Sequence, residues 1–564
     1  RVTMSLKPRD YSQIPPSTAR LVRRAPHLKR HRYIVLRDAL GPLFADQDFA
    51  PLYTSERGRP AEAPAILAMV LILQFIEDLD DRGAAWAVET RVDWKYLLGL
   101  AWEDAGFDPS VLSEFRARLV ENDLLQLFLT RVLELADAAG LLAKRGAQRT
   151  DATHVIGHVR QLNRLECVVR TLQAALNSLA VVAPRWLQSW VPEAWHARYD
   201  ELWDHYDIPQ DGAERQALAD TVGIDGMELL TRCYALDAPS YLREVEAVEI
   251  LRQVWLQQYY VEDTPRGKGL RWRQPEELPP QAQLICSPYE VEARYSTKRE
   301  THWLGYKVHV TETCDPDTPR LITHVATTPS TINDDAALPA IHQALADQER
   351  LPGEHFVDAG YVTARTLVES ARDYGVRLTG PAPPDSTWQA QLEGGYTLAA
   401  FAIDWEAQVV TCPQGQLSTC WSETTQPGSK PPLIHIRFSR ASCHACPERA
   451  RCTRAKRDGR TLTFPARVYH DAMQTRRQAQ QTPQFWDHLK PRGGIEGTLS
   501  QGVRAFGLRR TRYRGLAKTH LQHVLTATAM NLMRMVAWFA GQTPRGTRTT
   551  RFARLGAISP VAAV

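Results

Sequence analysis

The sequence predicts an α/β protein: a mixed-sheet core broken by large insertions and preceded by a helical domain. Three observations carry that prediction. From Arg59 to Ala139 the apolar residues recur with helical spacing. From Arg294 the period changes to alternation, as in half-buried strands. Further on, Asp358 ends a short apolar run beside Gly360, and open α/β sheets place ligand sites at such strand ends.

In chain order, residues 1–50 are basic and proline-punctuated, a basic N-terminal arm with short helices. Residues 51–145 form the helical domain, in which PAILAMVLILQFIEDL, DRGAAWAVETRVDWKYLLGL and PSVLSEFRARLVENDLLQLFLTRVLELADAAGLL read as three or more core helices. QRTDATHVIG, Gln148 to Gly157, reads as a short strand carrying Asp151. Aspartate is unfavourable in a strand, so a turn or a functional site has to explain it. Arg160 to Gln258 is a helical, tryptophan-rich insertion, taken to about residue 290.

YSTKRETHWLGYKVHVTETCD and RLITHVATTPS read as two strands joined near Asp315 to Pro319, and Asn333 or Asp334 gives a helix-capping signal. A strand at His355 to Val357, a helix from Thr363 to Tyr374 and a strand at Val376 to Thr379 follow. The core is thus expected over 146–382 and 485–540, with a cysteine-containing insertion at 383–484 and a basic tail at 541–564.

Composition sets the class. Apolar residues make up 44% and charged residues 23% of 564 residues, as in soluble globular proteins with room for several domains. The net charge of +4 gives no global polycation argument. Basic clusters at Arg20 to Arg32, Arg504 to Lys518 and Arg545 to Arg554 are nonetheless candidate footprints for nucleic acid. No signal peptide is legible, and the longest apolar run, Ala65 to Leu73, is far short of the ~20 residues that span a bilayer. The expectation is a cytoplasmic protein.

The stretch with most chemistry is GGIEGTLSQGVR, Gly493 to Arg504. If Ile495 onward is helical, Arg492, Glu496, Ser500 and Arg504 share one face. A carboxylate flanked by arginines can hold a metal by its oxygens while the guanidiniums take phosphate bidentately. A solvated helix laced with salt bridges has the same pattern. Asp151, Asp358 and Glu496, from three separate elements, are the candidate catalytic triad and Mg2+ (or Mn2+) ligands. Phosphodiester cleavage and strand transfer need two divalent ions a few ångströms apart. Singly, each carboxylate also suits a bland role: cap, turn residue or salt-bridge partner.

Five of nine cysteines lie between Cys412 and Cys452. Cys412, Cys443, Cys446 and Cys452, with Cys443 and Cys446 as a C-x-x-C unit, are the candidate quartet for a structural Zn2+, with Cys420 or His444 in reserve. An iron–sulfur cluster and reduced unliganded thiols are the other readings. Trp388 and Trp405, in the same insertion, read as core tryptophans.

The strings TDATHV, YSTKRETHWLGYKVHVTET, FVDAGYV and GIEGTLSQGVRAFGLRRTRYRGLAKTHLQHVLTATAMNL resemble the DDE transposases of bacterial insertion sequences, of the insertion-sequence-four type. The resemblance runs from about Arg59 to the carboxyl end. It implies an RNase H-like catalytic core with Asp151, Asp358 and Glu496 as metal ligands. It also implies double-stranded DNA as partner (element ends and target) and action as a homodimer on DNA. The resemblance alone implies, for an aromatic such as Trp388 or Trp405, a stacking platform for a flipped base. The group's Tyr–Arg–Glu–Lys signature is matched at Arg492 and Glu496. Leu489 stands where the tyrosine would be and Val503 where the lysine would be, with Arg504 beside it. Lys307, Arg509, Arg510, Arg512, Arg514 and Lys518 are further candidates for backbone phosphates. The implied function is end binding, hydrolytic cleavage and transfer of 3′-hydroxyl ends. The alternatives are a metal-dependent nuclease without strand transfer, and a catalytically silent DNA-binding descendant.

Overall fold

The structure is a computed structural model that describes residues 4–542 apart from 54–58, 161, 201–207, 265–266 and 426–430. The expected basic tail beyond residue 542, with Arg545, Arg548, Arg551 and Arg554, lies outside the described residues. The chain divides into two compact units. One comprises residues 1–142, 316–322 and 525–564; the other comprises 143–315 and 323–524.

The first unit is helical. Its central helix, Pro64–Glu77, buries every position from Pro64 to Phe75, because the run PAILAMVLILQF has no polar face to offer water. Pro64 sits at the first helical position, where its missing N–H costs nothing. Helices Asp81–Thr90 and Ser110–Glu121 pack on it, and Val92–Leu98 and Leu127–Ala138 belong to the same unit. A ring cluster of Phe44, Phe49, Phe115 and Phe128 fills one side. The first fifty residues hold two short helices, Pro16–Arg24 and Arg32–Leu40, which pack on Val92–Leu98.

The second unit contains the core sheet. Its strands are β1 (Ala147–Ile156), β2 (Arg294–Lys298), β3 (Thr301–Thr313), β4 (Ile322–Pro329), β5 (Glu354–Phe356) and β6 (Arg377–Thr379). The order is β6-β5-β1-β3-β2, with β4 also paired to β3. β1 runs antiparallel to β3, with Asp151 opposite Val310, and parallel to β5, which is parallel to β6. An antiparallel meander joined to parallel strands through helical crossovers is an RNase H-like α/β core. α1 (Asp334–Asp347) and α2 (Ala364–Tyr374) make the crossovers, and α3 (Ile495–Phe506) and α4 (Leu516–Phe539) follow the second insertion. Ile341, Leu345, Val357, Tyr361 and Leu378 form a core cluster beside the sheet.

The sequence run from Tyr295 to Asp315 folds as two strands, not one. Arg299, with φ +56°, and Glu300 make a tight turn that pairs Lys298 with Thr301. The alternation continues through the turn, so periodicity alone shows no break.

The insertion after β1 is mostly helical: Arg164–Val182, Gly212–Cys233 and Glu246–Gln258 pack around Trp255. The buried Trp255 indole N–H donates to the Gly223 carbonyl at 2.9 Å. Arg164–Val182 is the one helix among the described residues long and apolar enough to cross a membrane, and 56% of its apolar window is buried in the protein. The second insertion contains a small β unit: Ala402–Asp404 pairs with Val409–Thr411, and Leu433–Phe438 is the central strand between Ser418–Thr424 and Thr461–Pro465.

Candidate active site

Asp151 lies in the middle of β1 because its neighbours Thr150 and Thr153 face the interior and fix the strand's register. Asp358 follows β5 and caps the turn Ala359–Tyr361, its carboxylate accepting the Gly360 N–H at 2.9 Å. Glu496 is in the first turn of α3, and 67% of its side chain is exposed. All three line a single cleft of about 710 Å3. The elements that carry them are 200 or more residues apart in places, and only the sheet brings them together.

Arg492 ties the site together. It lies on a 3-10 turn, Lys490–Gly494, that runs directly into α3. One guanidinium nitrogen donates to Asp151 at 2.9 Å and another to Glu496 at 3.0 Å. Ser500 and Arg504 line the same cleft, so the polar face read from the sequence is the face that α3 presents to the carboxylates. Val503 lines it too, whereas Leu489 is buried against Phe356 and Phe485.

The sheet-to-helix join rests on a buried ion pair. Arg149 binds Glu312 on β3 at 2.6 Å, and Glu312 accepts the Thr498 hydroxyl of α3 at 2.5 Å. Arg149 also donates to the Pro491 carbonyl just before Arg492. A Cβ added to Gly494 would collide with the Arg149 guanidinium, so a glycine is required there for close approach.

Burial pushes the Asp151 carboxyl up to about 6; Arg492 opposes the rise and Asp358 adds to it. The cause is partial removal of a carboxylate from water, which a nearby cation offsets. Beneath the cleft, the Tyr361 hydroxyl and His309 share a hydrogen bond of 2.7 Å, and burial drives the imidazole down to about 4, keeping it neutral.

Among the candidate phosphate contacts, Lys307, Arg504 and Arg509 line the cleft. Lys307 is held by the Ile332 carbonyl at 2.8 Å and by Asp334 at 3.2 Å, and Arg509 donates to Thr153 at 2.8 Å. Arg510, Arg512, Arg514 and Lys518 do not line it; they follow on the segment between α3 and α4 and into its first turn. Four ionisable lining residues were not read as site residues from the sequence: His154, Lys298, Arg299 and Asp334. Lys298 and Arg299 reach the cleft only because the hairpin turn carries them over it. Asp334 was legible as a helix start, but not as a wall of the site.

In the second insertion, Trp405 packs edge-on against Trp421 and Phe464, and Trp388 is covered by Arg454 at 4.3 Å. Cys412, Cys443, Cys446 and Cys452 line one small cavity, which excludes Cys420.

Two family profiles match the chain. One, described as "Transposase DDE domain", covers residues 411–536; the other, "Transposase domain (DUF772)", covers residues 22–118. Both support a DDE transposase. The first contains Arg492, Glu496 and the four clustered cysteines, while Asp151 and Asp358 lie outside both. No curated protein and no solved structure matches the chain. The cleft lining combines Asp151, Asp334, Asp358 and Glu496 with Lys298, Arg299, Lys307, Arg492, Arg504 and Arg509.

Proposed function

We propose that the chain is a DNA transposase of the insertion-sequence-four type. It binds the ends of its own element, cleaves them hydrolytically and joins the 3′-hydroxyls to target DNA. The observation that carries this reading is the convergence of Asp151, Asp358 and Glu496 on one arginine-rimmed cleft. The transposase profiles support it independently.

The carboxylates are the hard oxygen donors that divalent cations take; among the described residues no three His, Cys, Asp or Glu side chains already converge on one metal position, so ligation would require Arg492 to release Asp151 and Glu496. Three hard carboxylates face one space, and Asp151 carries a buried charge that a cation would relieve. Asp151, Asp358 and Glu496 would hold two Mg2+ or Mn2+ ions, which would activate the attacking hydroxyl and stabilise the leaving oxygen. Arg492 then has a defined part. With its carboxylate partners engaged elsewhere, its guanidinium can take phosphate oxygens while remaining fixed by its short turn. Arg504, Arg509 and Lys298 supply positive charge along the cleft, which positions the backbone without reading sequence. Arg510, Arg512, Arg514 and Lys518 extend that basic surface along the chain.

End recognition is assigned to the helical domain, and a homodimer on double-stranded DNA follows from the need to handle two ends together. Site and partner together give a cytoplasmic enzyme acting on the nucleoid.

Joining assays test the reading. A pre-cleaved duplex of the element's end with a labelled 3′-hydroxyl, incubated with plasmid and Mg2+, should yield labelled plasmid joints. Cleavage without joints would leave a nuclease, and binding with neither would leave a silent DNA-binding protein.

A further inference from the structure

The second insertion holds a group of side chains that strand cleavage does not use. Cys412 opens a tight turn through Gly415, whose N–H donates to the Cys412 carbonyl at 2.9 Å. The Cys412 sulfur accepts the Gln416 N–H at 3.3 Å. Cys443 lies on the short helix Arg440–His444 with Cys446 just beyond it, and its sulfur accepts the Arg460 N–H at 3.3 Å. Cys452 ends the helix Arg449–Cys452. Three separate stretches of chain therefore deliver four cysteines to the wall of one cavity of about 30 Å3.

Several features of this cavity suit sulfur ligands to a cation. Two of the sulfurs are already oriented by backbone N–H groups. Arg449 and Arg460 line the same wall, and each has a buried Nε with no hydrogen-bond partner. Four thiolates around one divalent ion carry a net double negative charge, which two adjacent guanidiniums offset. Cys412, Cys443 and Cys452 also pack against one apolar cluster that includes Phe401 and Phe438. None of the nine cysteines is in a disulfide. The cavity has room for about one water-sized particle, which suits a single ion and not a multi-iron cluster.

We propose that Cys412, Cys443, Cys446 and Cys452 bind one Zn2+ as a tetrahedral four-thiolate site, tying the Cys412 turn to the helical segment 440–452. Among the described residues no three such side chains are drawn in to ligand distance of one point. Binding therefore requires rotation of the cysteine side chains about Cα–Cβ, with release of the thiol protons. Cys420 and His444 take no part. The inference stands apart from the strand-transfer reading, since Glu496→Gln leaves it untouched.

The test is metal content of the purified full chain by plasma mass spectrometry. The expected result is about one zinc per chain, with Cys443→Ser and Cys446→Ser falling at least about tenfold and Cys420→Ser unchanged. Because a serine variant can lose metal by misfolding, Co2+ is also titrated into metal-stripped wild type, with circular dichroism recorded on the same samples. A four-thiolate cobalt spectrum supports the site. A folded wild type without zinc, a cobalt spectrum lacking thiolate bands, zinc retained in Cys446→Ser, or iron with labile sulfide would each overturn it.

Discussion

At the residue scale, Asp151 and Arg492 explain one another. A strand carboxylate largely removed from water is costly, and its pKa stands at about 6 despite the guanidinium at 2.9 Å. The sign of the linkage follows. From about pH 4 to 6 the folded chain binds more protons at this position than the unfolded chain, so stability falls as pH rises through that window. Relative to Asp151→Asn, wild type should lose on the order of 1–3 kcal/mol between pH 4 and 7 without divalent metal, measured by denaturant titration. Mg2+ affinity should rise with pH through the window in which Asp151 titrates in the metal-free chain, because the ion competes with the proton for the carboxylate. A Mg2+ affinity independent of pH across that window, measured by titration calorimetry, would detach Asp151 from the metal site. Asp151 was legible in the sequence because an aspartate is out of place in a strand. Arg492 was legible because it stands four residues before Glu496. Asp334 was not, because a helix-capping aspartate reads the same whether or not it lines a cleft.

At the scale of elements, the junction of β1, β3 and α3 decides whether the glutamate reaches the two aspartates. Arg149, Glu312 and Thr498 form that junction, with Arg149 and Glu312 almost fully buried. Breaking a buried ion pair on one side leaves the other charge uncompensated. Arg149→Ala should therefore destabilise the chain by about 3–5 kcal/mol in chemical denaturation. Gly494→Ala should be felt at the same place, lowering cleavage more than DNA binding, because Arg149 must move and the Arg492 turn with it. Equal losses in cleavage and binding would argue against a local effect. Nothing in the sequence near residue 149 points to residue 312. The pairing is visible only once β1 and β3 are in register. The hairpin at Arg299 was hidden for a similar reason, since a two-residue turn need not interrupt alternation.

At the scale of the whole molecule, the chain has a helical unit and a second unit whose RNase H-like sheet is interrupted in sequence by two insertions. The fold class was legible from the switch in hydrophobic period and from the strand-end aspartate. The extra strand β2 was not, and the second insertion showed only strand-like pieces without their pairing, because short strands in irregular stretches lack a long enough pattern. Basic residues line the cleft and continue along the segment beyond α3, while 68 Lys and Arg against 64 Asp and Glu leave a net charge of only +4. Binding to end duplexes should therefore be salt-sensitive with a modest slope. Removing Arg509 or Arg514 singly should reduce that slope by about one. A slope unchanged in both variants would place the DNA elsewhere.

The central claim is that Asp151, Asp358 and Glu496 form one phosphodiester-cutting site. Its most direct test is cleavage of a labelled duplex of the element's end with Mg2+, comparing wild type with Glu496→Gln, which keeps shape and removes charge. The account predicts a cleavage loss of at least about a hundredfold, with gel-shift binding retained. Unchanged cleavage in the variant would contradict it and move the metal site elsewhere.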